Sequence, residues 1–189
     1  MTAPLTLHRR LVGILAMLVS FGFGSAIAAP QTKVSDQEVK AALLFRVSKF
    51  IEWPAAAFSS ANASFVMCVV GDESRVRAFQ PLQGKSLSGR SVTVRRITGD
   101  MLDLGQCHAA YFPEGSDADV DYALGKLRGT PVLTVGESDA FVQRGGVLAL
   151  VTRDQRVQFT IHAGSAKRAQ LSVSSQLLQL ATVVGEGSP

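Results

Sequence analysis

FVMCVVGD, residues 65–72, is six apolar residues in a row, closed by a glycine and an aspartate. Six residues is the usual length of a strand. An unbroken apolar run, unlike an alternating one, is what a strand covered on both faces requires. Gly71 and Asp72 then close it with turn chemistry. Runs of the same style recur at 92–97, 107–112 and 132–135. Between them lie helix-length segments at 73–82 and 117–127, the second placing Val120, Leu124 and Leu127 on one face. Strands separated by helices predict a mostly parallel sheet joined by right-handed crossovers.

Nearer the C-terminus the style changes. The runs 147–151 and 156–161 are separated only by Thr152, Arg153, Asp154 and Gln155, too few residues for a crossover, so they predict an antiparallel hairpin. Arg156, Gln158 and Thr160 alternate with Val157, Phe159 and Ile161, which predicts a strand with one solvated face close to a sheet edge. A closing helix over 174–182 turns Leu177, Leu178 and Ala181 inward. The fold class expected is α/β: a three-layer sandwich with a mixed, mostly parallel sheet of about six strands and a C-terminal antiparallel hairpin.

Ahead of the first strand, Ser35, Asp36, Gln37 and Glu38 form a capping-box pattern that starts a helix. Val39, Leu43, Val47 and Phe50 recur at helical spacing, with Leu44 and Ile51 widening the stripe, and Pro54 stops the helix, giving an expected span of 36–52. This phase sends Phe45 to the polar side, beside Ser48, Lys49 and Glu52, with Trp53 at the margin. An aromatic there is either an anchor for a partner or a ring covered by a neighbouring element. Phe45, Lys49 and Trp53 are therefore partner-binding candidates.

The chain has 189 residues. Its first 28 or so have the layout of a signal peptide: His8, Arg9 and Arg10, an apolar stretch at 11–23, and the small residues Ala26 and Ala28 before the expected cleavage. A single domain over 29–184 follows, with a frayed tail at 185–189. Loss of the leader removes two of the 19 basic residues and leaves 17 against 15 acidic ones, a net charge of +2. That is too weak and too evenly spread for a nucleic-acid partner. No second apolar stretch approaches the roughly 20 residues of a bilayer span. Cys68 and Cys107, delivered to an oxidising compartment, are expected to form one disulfide between the first and third of these strands.

Catalytic patterns are weak. Gly136, Glu137, Ser138, Asp139 and Ala140 follow a strand and precede a helix, like a nucleophile elbow without its last glycine, and Asp154 and His162 come later in serine, acid, histidine order. No glycine-rich oxyanion segment accompanies them. Ser138 reads better as a helix cap, with Gly145 and Gly146 ending that helix. Cys107 and His108 are neighbours on a strand and point to opposite faces, so with Cys68 and His162 they make a poor metal set. Neither a Rossmann nor a Walker glycine pattern is present, and no cofactor is expected. Asp72 and Glu137 follow strand ends, where open sheets bind small ligands, and are candidates for lining a pocket.

Together the segments resemble the YfiR family of periplasmic proteins, from about Val39 to Ala181. The resemblance is carried by Lys40 and Ala41, KFIEWP at 49–54, CVVGD at 68–72, SGR at 88–90, and Cys107 with His108, then LTV at 133–135, RGG at 144–146 and SSQLLQLA at 174–181. It implies a non-enzymatic α/β regulator that binds the periplasmic portion of an inner-membrane diguanylate cyclase and restrains it, lowering cyclic-di-GMP and biofilm output. It also implies an outer-membrane lipoprotein that sequesters the regulator; a second copy of this chain is a further candidate partner. Where the family commonly ends its last strand Arg-Phe-Glu-Ile-Asn, this chain has Gln158, Phe159, Thr160, Ile161 and His162, and Gln170 stands where a glycine is common. Arg156 and Gln158 on that strand are the remaining partner-binding candidates. A small-ligand receptor with a pocket near Asp72 and Glu137 is the rival reading.

Overall fold

The computed structural model describes residues 34–98, 101–115 and 117–185. The expected leader and the last four residues of the expected tail lie outside them.

Ser35 caps the first helix, α1 (Asp36–Ser48), accepting from the Glu38 amide while the Glu38 carboxylate reaches back to the Ser35 N–H at 2.7 Å. The helix is four residues shorter than expected. Lys49 closes it, and Ile51–Glu52 becomes a short strand, β1, paired antiparallel with β9 (Ser172–Val173). The phase also differs from the expected one. Ala41, Leu44, Val47 and Ser48 are buried with Lys40, whereas Val39 and Phe50 are 41% and 42% exposed. The apolar stripe alone misplaced the face by about one residue, because a buried lysine and a serine share it.

The remaining elements run β2 (Phe65–Val70), α2 (Glu73–Arg77), β3 (Ser86–Leu87), β4 (Arg90–Ile97), β5 (Ala109–Tyr111), α3 (Asp117–Leu127), β6 (Leu133–Gly136), α4 (Asp139–Gln143), β7 (Leu148–Arg153), β8 (Arg156–His162), α5 (Ala163–Arg168), α6 (Ser175–Leu180) and β10 (Thr182–Val184). The main sheet has eight strands rather than about six, in the order β10-β8-β7-β6-β5-β2-β4-β3. Five of its neighbour pairs are parallel: β2 with β4 and β5, β5 with β6, β6 with β7, and β10 with β8. The β7–β8 hairpin is antiparallel, as predicted, and turns on Asp154 and Gln155, both at positive φ (48° and 59°). Two consecutive residues in that region form the hairpin turn that matches strand twist. The extra strands, β3 and β10, are two and three residues long and sit at the two edges. Runs so short give no periodicity to read.

The sheet is covered on both faces because its strands alternate. Phe65, Met67, Val69, Ala109 and Tyr111 join α1, α2, α5 and α6 in one core, while Cys68, Val70, Ala110 and Phe112 join α3 and α4 in the other. This is the expected three-layer arrangement. Gly136 and Gly146 serve the second core by close approach: a Cβ at either would stand about 2.2 or 2.1 Å from the Phe141 ring. Among the described residues, no helix is long and apolar enough to cross a membrane.

Candidate functional site

Cys68 and Cys107 are bonded, with Cα atoms 5.9 Å apart, joining β2 to the segment two residues ahead of β5. Both are buried in the second core. The next residue, His108, points the other way, as strand alternation requires. Its Nδ1 accepts from the Val66 N–H at 2.9 Å, which assigns the proton to Nε2, 3.0 Å from the Ala57 carbonyl. Burial holds this imidazole below its usual pKa; the Ala57 carbonyl opposes that and the Arg90 charge adds to it. Phe58 stacks on the ring at 4.4 Å, and the Arg90 guanidinium sits 3.6 Å over Phe58.

Trp53 belongs to the same structural cluster. Its indole N–H donates to the His108 carbonyl at 3.0 Å and its ring meets Phe65 edge-on at 4.9 Å. With Phe58, Leu87 and Arg90 it lines a cleft of about 280 Å³. Phe45 is half-buried against the core, with Lys49 Nζ 4.9 Å and Lys85 Nζ 5.9 Å from its ring centre. The aromatic that α1 leaves to solvent is Phe50 instead, a consequence of the shifted phase. Arg156 and Gln158 lie exposed on β8, Gln158 accepting from Arg153 at 3.3 Å. β10 covers β8 only from Thr160 to His162, so among the described residues no strand lies beside the outer edge of 156–159.

The two pocket candidates do not come together. Asp72 is exposed and caps α2, accepting from the Arg75 amide and the Ser74 hydroxyl. The Ser74 hydrogen bond and then that amide hold its carboxyl below the usual range. Glu137 is instead buried in a polar network. Its carboxylate accepts from Lys40 Nζ at 2.8 Å, from Gln37 Nε2 at 3.1 Å and from the Tyr111 hydroxyl. A cleft of about 70 Å³ beside Glu137 is lined without Asp72. Lys40 also pairs with Asp36 at 2.6 Å. Burial works against the Lys40 charge, but the two carboxylates outweigh it and hold the ammonium above the usual lysine range. Burial, then the Glu137 charge, pushes the Tyr111 phenol far above its ordinary range, so it is a permanent donor here. The network ties α1 to the ends of β5 and β6. No role for Lys40 or Tyr111 was read from the sequence, although Lys40 carries part of the family resemblance and stands four residues after Asp36.

In the conceivable triad, Asp154 and His162 lie at opposite ends of β8, and Ser138 and His162 are occupied as helix caps. Ser138 caps α4, its hydroxyl accepting from the Phe141 amide at 3.3 Å. Asp154 is at the exposed hairpin turn. His162, at the other end of β8, accepts from the Ser165 amide at 3.2 Å and caps α5. No three His, Cys, Asp or Glu among the described residues are grouped to hold a metal ion.

Comparison with known proteins agrees with this architecture. A crystal structure of a conserved domain protein from Vibrio cholerae O1 biovar eltor str. N16961 superposes with a TM-score of 0.53 at 11% identity, over 79% of this chain. The likeness is one of fold, and the chain spans 60% of that protein's length. The sequence model of the family described as YfiR/HmsC-like matches residues 37–182, from the first turn of α1 to the start of β10. With a match over that whole span, the chain belongs to the YfiR/HmsC-like family.

Proposed function

We propose that this chain is a periplasmic regulatory protein that binds the periplasmic portion of an inner-membrane diguanylate cyclase and restrains it, lowering cyclic-di-GMP and with it biofilm and exopolysaccharide output. The observation that carries this reading is the family match over 37–182, which takes in every layer of the fold. The chemistry of the site supports it: Ser138 and His162 are committed to helix caps and Glu137 to Lys40 and Tyr111, so their reactive atoms serve the fold. Function then rests on surface shape rather than on catalysis. The open edge of β8 at 156–159 suits this role, since an unpaired strand edge is a template for a partner's chain. The disulfide supports export to an oxidising compartment through a cleaved leader.

An outer-membrane lipoprotein that sequesters the protein is the counterpart expected to relieve the restraint. The test is the affinity of the purified protein for a cyclase periplasmic domain, with and without reductant. Tight binding under oxidising conditions, weakened tenfold or more by Arg156→Glu, is the expected result. Equal affinity in reductant removes a redox-linked signal from the reading, and no binding in either state overturns it.

A further inference from the structure

A cavity of about 360 Å³ lies away from the Glu137 network, where β6 and β7 begin rather than where β6 ends. Three arginines from three separate segments line it: Arg128 just after α3, Arg144 just after α4, and Arg168 at the end of α5. Asp121 is the one acidic residue in the lining. In a chain whose charges are otherwise nearly balanced, this is a local excess of positive charge around a concave space.

The plainest alternative is that each arginine complements the negative C-terminal end of its own helix. Two of the three make further side-chain contacts beyond that end. The Arg168 guanidinium donates to the Ser165 hydroxyl at 2.8 Å, back toward the start of α5. Arg144 Nε also faces Asp121 Oδ1 of α3 at 3.7 Å. Both heads are thereby held at the cavity wall. The buried hydroxyl of Thr134, which accepts from the Val147 amide at 3.0 Å, stands at the same wall, over an apolar floor that includes Val132 and Val147. Guanidinium groups are planar forks that match carboxylate and phosphate oxygens in pairs, which suits them to recognising small anions. The space is many times the roughly 30 Å³ share of one water molecule, so there is room for an organic body as well as a charged head.

We propose that this cavity binds a small organic dianion, of the phosphate-monoester or dicarboxylate class, with Arg144 and Arg168 gripping its charged head and Val132 and Val147 receiving its apolar part. The site is independent of the cyclase-binding reading and stands or falls without it.

The test is a heteronuclear NMR titration of the purified protein with glycerol 2-phosphate, with succinate, and with uncharged glycerol. Saturable shifts at the amides of Gly129, Gly145 and Ser165 with either anion, and none with glycerol, are expected; the anion bound more tightly identifies the class. Arg144→Gln and Arg168→Gln should each weaken binding tenfold or more, while Arg95→Gln, on β4 and outside the cavity, should leave it unchanged. Should Arg144→Gln disturb the fold, Arg168→Gln carries the test with the same expectation. The proposal is overturned if neither anion gives saturable shifts at these amides up to about 10 mM, or if the affinity survives all the cavity substitutions.

Discussion

Gln170 adopts φ = 56° between α5 and β9, in the left-handed region that favours glycine. A side chain in that region costs about 1–2 kcal/mol, part of which glycine returns as flexibility in the unfolded chain. Gln170→Gly should therefore stabilise the protein by about 0.5–1 kcal/mol in urea unfolding; destabilisation would show that the glutamine side chain contributes more than its backbone strain costs. His108 gives a second expectation, with a definite sign. Burial keeps the ring neutral and lowers its pKa, so on acidification the unfolded chain takes up a proton that the folded chain refuses. The stability it contributes is complete above about 6.5 and is lost as pH falls through that value toward the folded pKa. His162, lowered by its own burial and then by Arg168, acts in the same direction. The urea midpoint should be lower at about pH 5.5 than at about pH 7, a window above the lowered carboxyls of Asp36, Glu38 and Asp72. His108→Gln should shrink that drop without abolishing it, and should cost about 1–3 kcal/mol for the buried Val66 and Ala57 hydrogen bonds. A midpoint that ignores pH would contradict the neutral-ring assignment.

α1 is held down by charge as well as by its apolar face. Glu137→Gln would leave the Lys40 ammonium, 6% exposed, with Asp36 as its remaining carboxylate. Breaking a buried pair costs about 3–5 kcal/mol, and with Asp36 retained about 2–3 kcal/mol is expected; chemical denaturation measures it, and a loss below about 0.5 kcal/mol would mean the pair adds nothing. The same helix shows where reading a sequence succeeds and where it fails. Its start was legible because a capping box is local chemistry between Ser35 and Glu38. Its buried face was not, because Lys40 is buried only by virtue of a partner 97 residues away. Among the strands, β2, β5 and β6 were legible as apolar runs, β4 by Val92, Val94 and Ile97 among polar residues, and the β7–β8 hairpin by the shortness of its link. β1, β3, β9 and β10 were not, since two or three residues become strands only when a distant neighbour supplies the ladder. The pairing of Asp72 with Glu137 failed for a related reason. Both follow strand ends, but one caps a helix in solvent and the other is drawn inward by Tyr111 and Lys40.

For the molecule as a whole, the cystine joins neighbouring central strands across a sequence separation of 39 residues. On the chain-entropy treatment it stabilises the fold by about 4 kcal/mol, a large part of a domain's usual margin. Replacing both cysteines by alanine should lower stability by about that amount, and a double variant as stable as the parent would deny the bridge a bracing role. The pairing itself was legible, because a chain read as carrying an export leader and holding two cysteines has one economical choice. Among the partner-binding candidates, Arg156 and Gln158 are exposed beside an open edge, whereas Phe45 and Trp53 are drawn into the packing by Lys85, His108 and Phe65. If the protein works by restraining a cyclase through its surface, removing it must raise the second messenger. Cyclic-di-GMP should be measured in cells lacking this chain and in cells complemented with the parent or the Arg156→Glu variant. A rise on deletion, reversed by the parent and not by the variant, is expected; a level unchanged by deletion would contradict a restraining role.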